Sequence, residues 1–121
     1  MRILADTSVW IDHWRRGSAA FEAALDTRDV ATHPFVIGEL AVGAVHPREP
    51  VLRDLQRLEQ VRVAEEREVL ALVEAKRLWG RGIGWVDAHL IASALLDGCT
   101  LWTLDQPLAR AAAAAGVRLH T

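Results

Sequence analysis

Residues 1–8 are Met1-Arg2-Ile3-Leu4-Ala5-Asp6-Thr7-Ser8. The apolar run inside this stretch is too short for a helix and predicts a strand that is buried on both faces. Residues 7–15 have helical apolar spacing, so the chain is expected to turn into a helix directly after Asp6. Ligands of an open parallel sheet bind beyond the carboxyl ends of its strands. Asp6 is therefore predicted either to face a site or to cap the helix that follows.

The composition predicts a folded domain that spans residues 1–121. The chain is 51% hydrophobic and 25% charged, which is typical of a globular protein with its own core. Its single cysteine, Cys99, excludes an internal disulfide, and no apolar run approaches the ~20 residues of a membrane span. We therefore expect a cytoplasmic protein that does not associate with a membrane. The net charge of -2 argues against broad nucleic-acid binding by charge alone.

Strand and helix patterns alternate along the rest of the chain. Strands are predicted over residues 3–5, 29–32, 61–63, 99–103 and 117–119. Helices are predicted over residues 7–15, 19–27, 34–45, 51–60, 65–80, 86–96 and 105–115. This alternation predicts an α/β fold with a parallel sheet between helices. The glycine-rich residues 80–84 match no phosphate-binding or dinucleotide-binding motif and are interpreted as a flexible connector.

Four of the sixteen acidic residues lie where a solvated charge is not expected. Asp6 and Asp105 each follow an apolar strand, so parallel strands would place both at one edge of the sheet. Glu39 is the only charged residue between the histidines of residues 33–46, and burial there would demand a partner or a cation. Asp87 begins a helix on its apolar side. Capping is the alternative for the three aspartates, and an ion pair with an arginine is the alternative for Glu39.

The chemistry of these side chains points to a hard metal ion. Clustered carboxylates without histidine or cysteine partners favour Mg²⁺ or Mn²⁺ over zinc. The five histidines lack zinc-site spacing, and no nucleophilic-serine motif is present. A carboxylate-held Mg²⁺ completes its shell with water and substrate phosphate. The pattern therefore indicates phosphodiester hydrolysis by metal-activated water.

Four blocks of the sequence resemble those of PIN-domain nucleases, most closely the VapC toxins of bacterial toxin–antitoxin pairs. The blocks are Asp6-Thr7-Ser8-Val9-Trp10-Ile11-Asp12, Glu39-Leu40, Asp87-Ala88-His89-Leu90-Ile91-Ala92 and Leu101-Trp102-Thr103-Leu104-Asp105. The resemblance covers nearly the whole chain. It implies that residues 1–121 form a single PIN domain, a three-layer α/β/α fold around a parallel sheet of four to five short strands.

The resemblance also implies an activity and partners. It implies a Mg²⁺- or Mn²⁺-dependent endoribonuclease, a homodimer, and an antitoxin whose tail enters the active-site groove. The acids that would hold the metal and orient water are Asp6, Glu39, Asp87 and Asp105, and the supporting hydroxyl residues are Thr7, Ser8 and Thr103. Many relatives carry a further acid and an aromatic residue where this chain has Pro107 and Leu108. This departure favours one firmly held metal over two.

Other residues have weaker assignments. Arg15 and Arg16 are expected to be a solvated helix end, with phosphate contact as the alternative. Trp10 and Trp14 are expected in the core, although one ring could receive an antitoxin helix, and His89 is expected to be structural.

Two other enzyme-like families fit the motifs poorly. A haloacid-dehalogenase-like phosphatase needs a second acid where Ser8 stands, and a receiver domain needs a lysine after a late strand, whereas Lys76 lies mid-helix. The remaining alternative to a nuclease is a catalytically weak PIN-like module that binds RNA or a partner.

Overall fold

A computed structural model of the chain describes residues 2–121, in which strands and helices alternate. The four strands are β1 (Ile3–Ala5), β2 (Val30–Thr32), β3 (Glu59–Gln60) and β4 (Thr100–Trp102). The seven helices are α1 (Thr7–Arg16), α2 (Ala19–Asp26), α3 (Pro34–Val42), α4 (Arg48–Arg57), α5 (Glu66–Ala75), α6 (Trp85–Asp97) and α7 (Gln106–Ala114). The predicted α/β class is confirmed.

The sheet is parallel throughout, with strand order β3-β2-β1-β4. β1 is therefore central, and its Leu4 and the neighbouring Leu101 of β4 are fully buried. Because the strands run the same way, the chain leaves β1, β2 and β4 at one edge and there enters α1, α3 and α7. Asp97 at the end of α6 binds Arg2 at the opposite edge, 2.9 Å away, so the first turn of α6 lies toward the same edge as those three helix starts.

The two tryptophans of α1 have different environments. The Trp10 ring is 5% exposed and packs edge-on against Phe21, with 4.7 Å between the ring centroids. The Trp14 ring lies 5.7 Å from that of Trp10 and is 39% exposed. Trp10 is thus part of the core, whereas Trp14 forms part of the surface.

The third strand lies earlier in the chain than predicted. The structure has α4 starting at Arg48, before Pro50, and β3 at Glu59–Gln60 instead of residues 61–63. Proline lacks an amide hydrogen but fits the first turn of a helix, so Pro50 does not delay the helix start. The backbone N–H of Val61 donates to the Thr32 carbonyl at 2.9 Å, which continues the ladder just beyond β3.

The predicted long helix of residues 65–80 ends at Ala75 instead. Arg77 adopts a left-handed conformation with φ 52°, and the N–H of Leu78 donates to the Val73 carbonyl at 2.9 Å. This closing turn directs Leu78 into the core, where it is 1% exposed. Burial of Leu78 offsets the cost of a left-handed residue that is not glycine.

Two further predictions need correction at element ends. The predicted strand at residues 117–119 is a single parallel bridge between Leu101 and Leu119. The helix predicted over residues 34–45 ends at Val42, and Gly43 accompanies the change to extended backbone. None of the helices within residues 2–121 has both the length and the apolarity needed to cross a membrane.

Candidate metal-dependent active site

Asp6 lies where β1 ends and α1 begins, and it is 5% exposed. Its Oδ1 accepts from the Val9 N–H at 3.2 Å, so Asp6 caps α1. The Ser8 hydroxyl donates to the same oxygen at 2.5 Å, and the Thr103 hydroxyl donates to Oδ2. The capping and site predictions for Asp6 are therefore compatible, because the carboxylate that caps the helix also accepts one hydrogen bond from Thr103, the residue after β4.

Burial raises the pKa of the Asp6 carboxyl above its ordinary value. The hydrogen bonds from Ser8 and Thr103 and from the Val9 backbone oppose this rise, because they favour the charged form. The protein therefore keeps an ionisable group in a place that disfavours its charge. A nearby cation would favour the charged form and lower the pKa of Asp6. Ionisable groups with a shifted pKa are common in functional sites.

The end of β4 supplies a second carboxylate at the same edge. Asp105 is exposed, and its Oδ1 caps α7 by accepting from the Leu108 N–H at 3.2 Å. Its own backbone N–H donates to the Thr103 hydroxyl oxygen at 3.0 Å. The Leu104 N–H donates to the Ser8 hydroxyl oxygen at 2.9 Å. Hydroxyl groups thus join the loop after β4 to the start of α1.

Glu39 is exposed, so the expected apolar burial of this carboxylate is wrong. The faces of α3 explain the error, since Val36 and Leu40 point to the core while Val42 is 90% exposed. The Glu39 carboxylate nevertheless has a defined partner. The Thr7 hydroxyl donates to its Oε1 at 2.7 Å, and Thr7 directly follows Asp6. Glu39 is thereby held beside the start of α1.

Asp87 lies in the first turn of α6 and is half-buried. Its Oδ2 accepts from the Gly84 N–H at 3.0 Å, so Asp87 stabilises the helix start from the third helical position, whereas the N-cap is Gly84 and not Asp87 as the alternative prediction had it. In the described part of the chain, no hydrogen bond joins Asp87 to the other three acids. The preceding loop is nevertheless close to α7, because a Cβ added at Gly82 would lie 3.6 Å from the Cβ of Pro107.

The four carboxylates share one edge of the sheet without forming a closed ligand cluster. Among residues 2–121, no three Asp, Glu, His or Cys side chains lie close enough together to hold a metal ion as they stand. Each carboxylate is instead stabilised separately by backbone N–H or hydroxyl donors.

The donor set still fits a hard cation. In the described residues, Glu39 Oε2, Asp87 Oδ1 and Asp105 Oδ2 accept no hydrogen bond and keep both lone pairs for a ligand. Carboxylate and hydroxyl oxygens are the ligands that Mg²⁺ and Mn²⁺ favour. The residues at this edge therefore suit Mg²⁺ or Mn²⁺ more closely than they suit zinc.

The two arginines near the end of α1 line the same groove, and one of them also forms an ion pair. Arg16 forms an ion pair with Asp12 at 2.7 Å, as expected for a solvated helix surface. Arg15 and Arg16 also line a groove of about 450 Å³ that includes Ser8 and Leu104, both next to the carboxylates. A role in phosphate contact stays a prediction for this pair.

A pair of buried imidazoles at this edge was only partly indicated by sequence. His33 is fully buried and caps α3, because its Nδ1 accepts from the Phe35 N–H at 2.9 Å. Its ring lies 6.1 Å from that of His89, which is 4% exposed and packs against Phe35. Burial lowers the pKa of both histidines. A histidine directly before Pro34 at a helix start was the one available signal.

This chain is similar to known proteins over almost all of its length. Residues 3–114 match the PIN domain family. Ribonuclease VapC32 of Mycobacterium tuberculosis is 48% identical over 118 residues, which cover 97% of this chain and 95% of that protein.

Solved structures share the fold at lower identity. The structure of FitAcB from Neisseria gonorrhoeae has a TM-score of 0.65 and 22% identity, covering 98% of this chain and 96% of that one. A toxin–antitoxin complex from Klebsiella pneumoniae has a TM-score of 0.66 and 22% identity, covering 86% and 87%. The family match over residues 3–114 agrees with the parallel sheet and with the acidic residues at the ends of its strands. The chain therefore belongs to the PIN-domain family, within its VapC branch.

Proposed function

We propose that this protein is a Mg²⁺- or Mn²⁺-dependent endoribonuclease and the toxin of a toxin–antitoxin pair. The observation that carries the proposal is the set of hydroxyl bridges at the sheet edge. Thr103 and Ser8 tie the carboxylate after β1 to the loop that bears Asp105. The 48% identity to a VapC ribonuclease supports RNA as the substrate class. Cellular RNA as substrate also favours the cytoplasm as its location.

The residues proposed to hold the cation are Asp6, Glu39, Asp87 and Asp105. When bound, Mg²⁺ or Mn²⁺ supplies a Lewis acid that lowers the pKa of water and neutralises charge on the leaving oxygen. Pro107 and Leu108 occupy the positions where many relatives carry the further acid and the aromatic residue. Leu108 is fully buried, so it adds to the core instead of to the site. These four acids favour a single cation.

The remaining side chains orient the carboxylates. Ser8 and Thr103 donate to the two oxygens of Asp6 and so fix the plane of its carboxylate. Thr7 donates to Glu39 and restricts a long side chain that would otherwise sample many rotamers in solvent. Positioned carboxylates of this kind can orient a water for attack on a phosphodiester and accept its proton.

A protein partner is proposed to inhibit the enzyme by covering this edge. Trp14 and Glu39 line a common groove of about 360 Å³ between α1 and the end of α3. An antitoxin segment seated there would bury the exposed Trp14 ring and also shield Glu39. The structural neighbours include a toxin–antitoxin complex, which supports such a partner. We also propose a homodimer, on family resemblance.

The decisive experiment is RNA cleavage by purified, antitoxin-free protein. Wild type is expected to cleave cellular RNA with Mg²⁺ or Mn²⁺ and to stop when EDTA is added. Asp6→Asn, which keeps an acceptor for the α1 cap, is expected to be inactive. Asp26→Asn, at an exposed position on α2, is the matched control and should cleave normally. Absence of cleavage by wild type would favour the alternative of a non-cleaving binding module. Full activity of Asp6→Asn would show that the observed cleavage does not come from this site.

A further inference from the structure

Residues 76–85, which are the connection between α5 and α6 together with the first residue of α6, combine aromatic and basic side chains. The segment is Lys76-Arg77-Leu78-Trp79-Gly80-Arg81-Gly82-Ile83-Gly84-Trp85. It contains three cations, two tryptophans and no carboxylate, in a chain whose net charge is -2. The sequence alone indicated a flexible connector, but the structure gives the segment a definite shape and location.

Two apolar side chains anchor the segment while its tryptophans face solvent. Leu78 is buried and Ile83 is half-buried, and both pack against the core. Trp79 is 58% exposed and Trp85 is 43% exposed. A single exposed apolar side chain is ordinary on a protein surface, but two exposed tryptophans within one ten-residue segment offer aromatic area to a partner. These rings are available to a flat ligand.

The cations of the segment lack acidic partners. None of Lys76, Arg77 and Arg81 lies within 4.0 Å of a carboxylate in residues 2–121. The Nε of Arg81 donates to the Arg77 carbonyl at 2.9 Å, which fixes the direction of its guanidinium while its terminal nitrogens remain without an ion pair. The positive charge of the segment is therefore open to an anion.

The segment borders the proposed active site. Gly84 donates its N–H to Asp87, and Gly82 approaches Pro107, two residues after Asp105. The Trp85 ring packs edge-on against His89 with 4.9 Å between centroids, which fixes it on the first turn of α6. A chain that passes the carboxylates would therefore run onto this segment.

We propose that residues 76–85 bind unpaired nucleotides of the RNA next to the cleavage position. Trp79 and Trp85 stack on exposed bases, and Arg81 contacts a phosphate. Aromatic stacking needs bases that are not already stacked in a duplex, so the segment selects single-stranded or looped RNA. This inference rests on the proposed ribonuclease function, since it assigns a substrate class to the same site.

The test measures RNA affinity separately from cleavage. Protein carrying Asp6→Asn is titrated, with EDTA present, into a fluorescent ten-nucleotide single-stranded RNA and into the same strand with abasic positions. Trp79→Ala is expected to weaken binding to the normal strand about tenfold and to leave binding to the abasic strand unchanged. Leu70→Ala, at a similarly exposed apolar position on α5, is the control and should have no effect on either strand.

A second variant tests the phosphate contact. Arg81→Gln is expected to weaken binding to both strands and to reduce the salt dependence of log Kd by about 0.7, the value for one phosphate on a single strand. Arg53→Gln, at an exposed position on α4, should leave the salt dependence unchanged. Melting curves and Trp79→Phe, which retains a stacking ring, check that lost affinity is not lost folding.

The outcomes separate this inference from the proposed function. Wild type that cleaves RNA, together with Trp79→Ala that binds like its parent, would overturn the inference alone. An equal loss of affinity for the normal and abasic strands in Trp79→Ala would also overturn it. A changed oligomer mass with unchanged RNA affinity would show that Trp79 serves a protein interface instead. A preference for the normal strand over the abasic strand that is lost in Trp79→Ala would support the inference even if wild type failed to cleave.

Discussion

The hydroxyl of Thr103 donates to Oδ2 of Asp6, and each of the two residues directly follows a different strand of the sheet. The same Thr103 oxygen accepts the backbone N–H of Asp105 at 3.0 Å. One hydroxyl therefore connects a buried carboxylate to the loop that carries an exposed one. Because donors to a carboxylate favour its charged form, this bond lowers the cost of ionising Asp6 in its buried position.

Thr103→Val removes this hydroxyl while it keeps the shape of the side chain. The variant leaves one oxygen of a buried carboxylate without a donor, so the free energy of unfolding is expected to fall by about 1–3 kcal/mol. Loss of a residue that orients a metal-binding carboxylate is expected to reduce RNA cleavage roughly 10–100-fold. Urea unfolding and initial cleavage rates measure the two effects. Thr103→Ser keeps the donor and should stay near wild type, whereas equal losses in both variants would remove the hydroxyl from the explanation.

The strand-end acids were predictable because their positions follow from chain direction. A short apolar run that stops at an acid, as at Asp6 and Asp105, indicates a parallel strand followed by a helix start. Parallel pairing then places both acids at one edge, and the structure confirms that placement. The family resemblance named Thr7, Ser8 and Thr103 as supporting hydroxyl residues. Their individual hydrogen-bond partners could not be predicted, because they depend on side-chain rotamers that only the packed structure sets.

The position of Glu39 was wrongly predicted from the apolar composition of its helix. An apolar helix has no clear polar face, so periodicity could not show which side of α3 meets the core. The end of α5 was missed for a related reason. Sequence patterns predict left-handed residues at glycine, whereas here Arg77 adopts that conformation so that Leu78 can be buried.

Asp6→Asn is expected to stabilise the protein while it abolishes cleavage. The raised pKa of Asp6 means that the folded state binds its proton more tightly than the unfolded state does, so ionisation at neutral pH lowers the stability. A neutral amide avoids this cost and still caps α1, and its Nδ2 can donate to the Thr103 hydroxyl oxygen, so the melting temperature is expected to rise at pH 7. Differential scanning calorimetry at pH 7 and pH 4 tests the cause. The gain should shrink at pH 4, where Asp6 takes up its proton; an equal gain at both values would contradict it.

Glu39→Gln is expected to weaken Mn²⁺ binding without a change in stability. The amide oxygen can still accept from Thr7, but the negative charge offered to the cation is lost. Because Glu39 is exposed, its substitution should shift the melting temperature by no more than about 2 °C. Isothermal titration with Mn²⁺ gives the affinity, and Glu49→Gln on α4 is the control for loss of one exposed charge. Equal Mn²⁺ affinity in the two variants would remove Glu39 from the site.

His33 is expected to make the protein less stable as the pH falls from about 6.5. Its Nδ1 must be unprotonated to accept the Phe35 N–H, and burial, together with repulsion by His89, lowers its pKa to about 4. Between these two values the unfolded state binds a proton that the folded state refuses. The free energy of unfolding is therefore expected to fall by about 1–2 kcal/mol between pH 7 and pH 5 through this group, with no further loss below about pH 4.

Urea unfolding at several pH values, for wild type and His33→Asn, isolates this contribution. Asparagine is a good helix cap that does not titrate, so the variant keeps an acceptor for the Phe35 N–H while it lacks the proton uptake. Other titrating groups, including His89, Asp6 and the surface carboxylates, remain in both proteins and largely cancel in the difference. The difference in unfolding free energy should therefore change with pH in this window. If the two proteins lose stability in parallel, His33 binds its proton equally well in the folded and unfolded states. The assignment of the acid sensitivity to this buried imidazole would then be wrong.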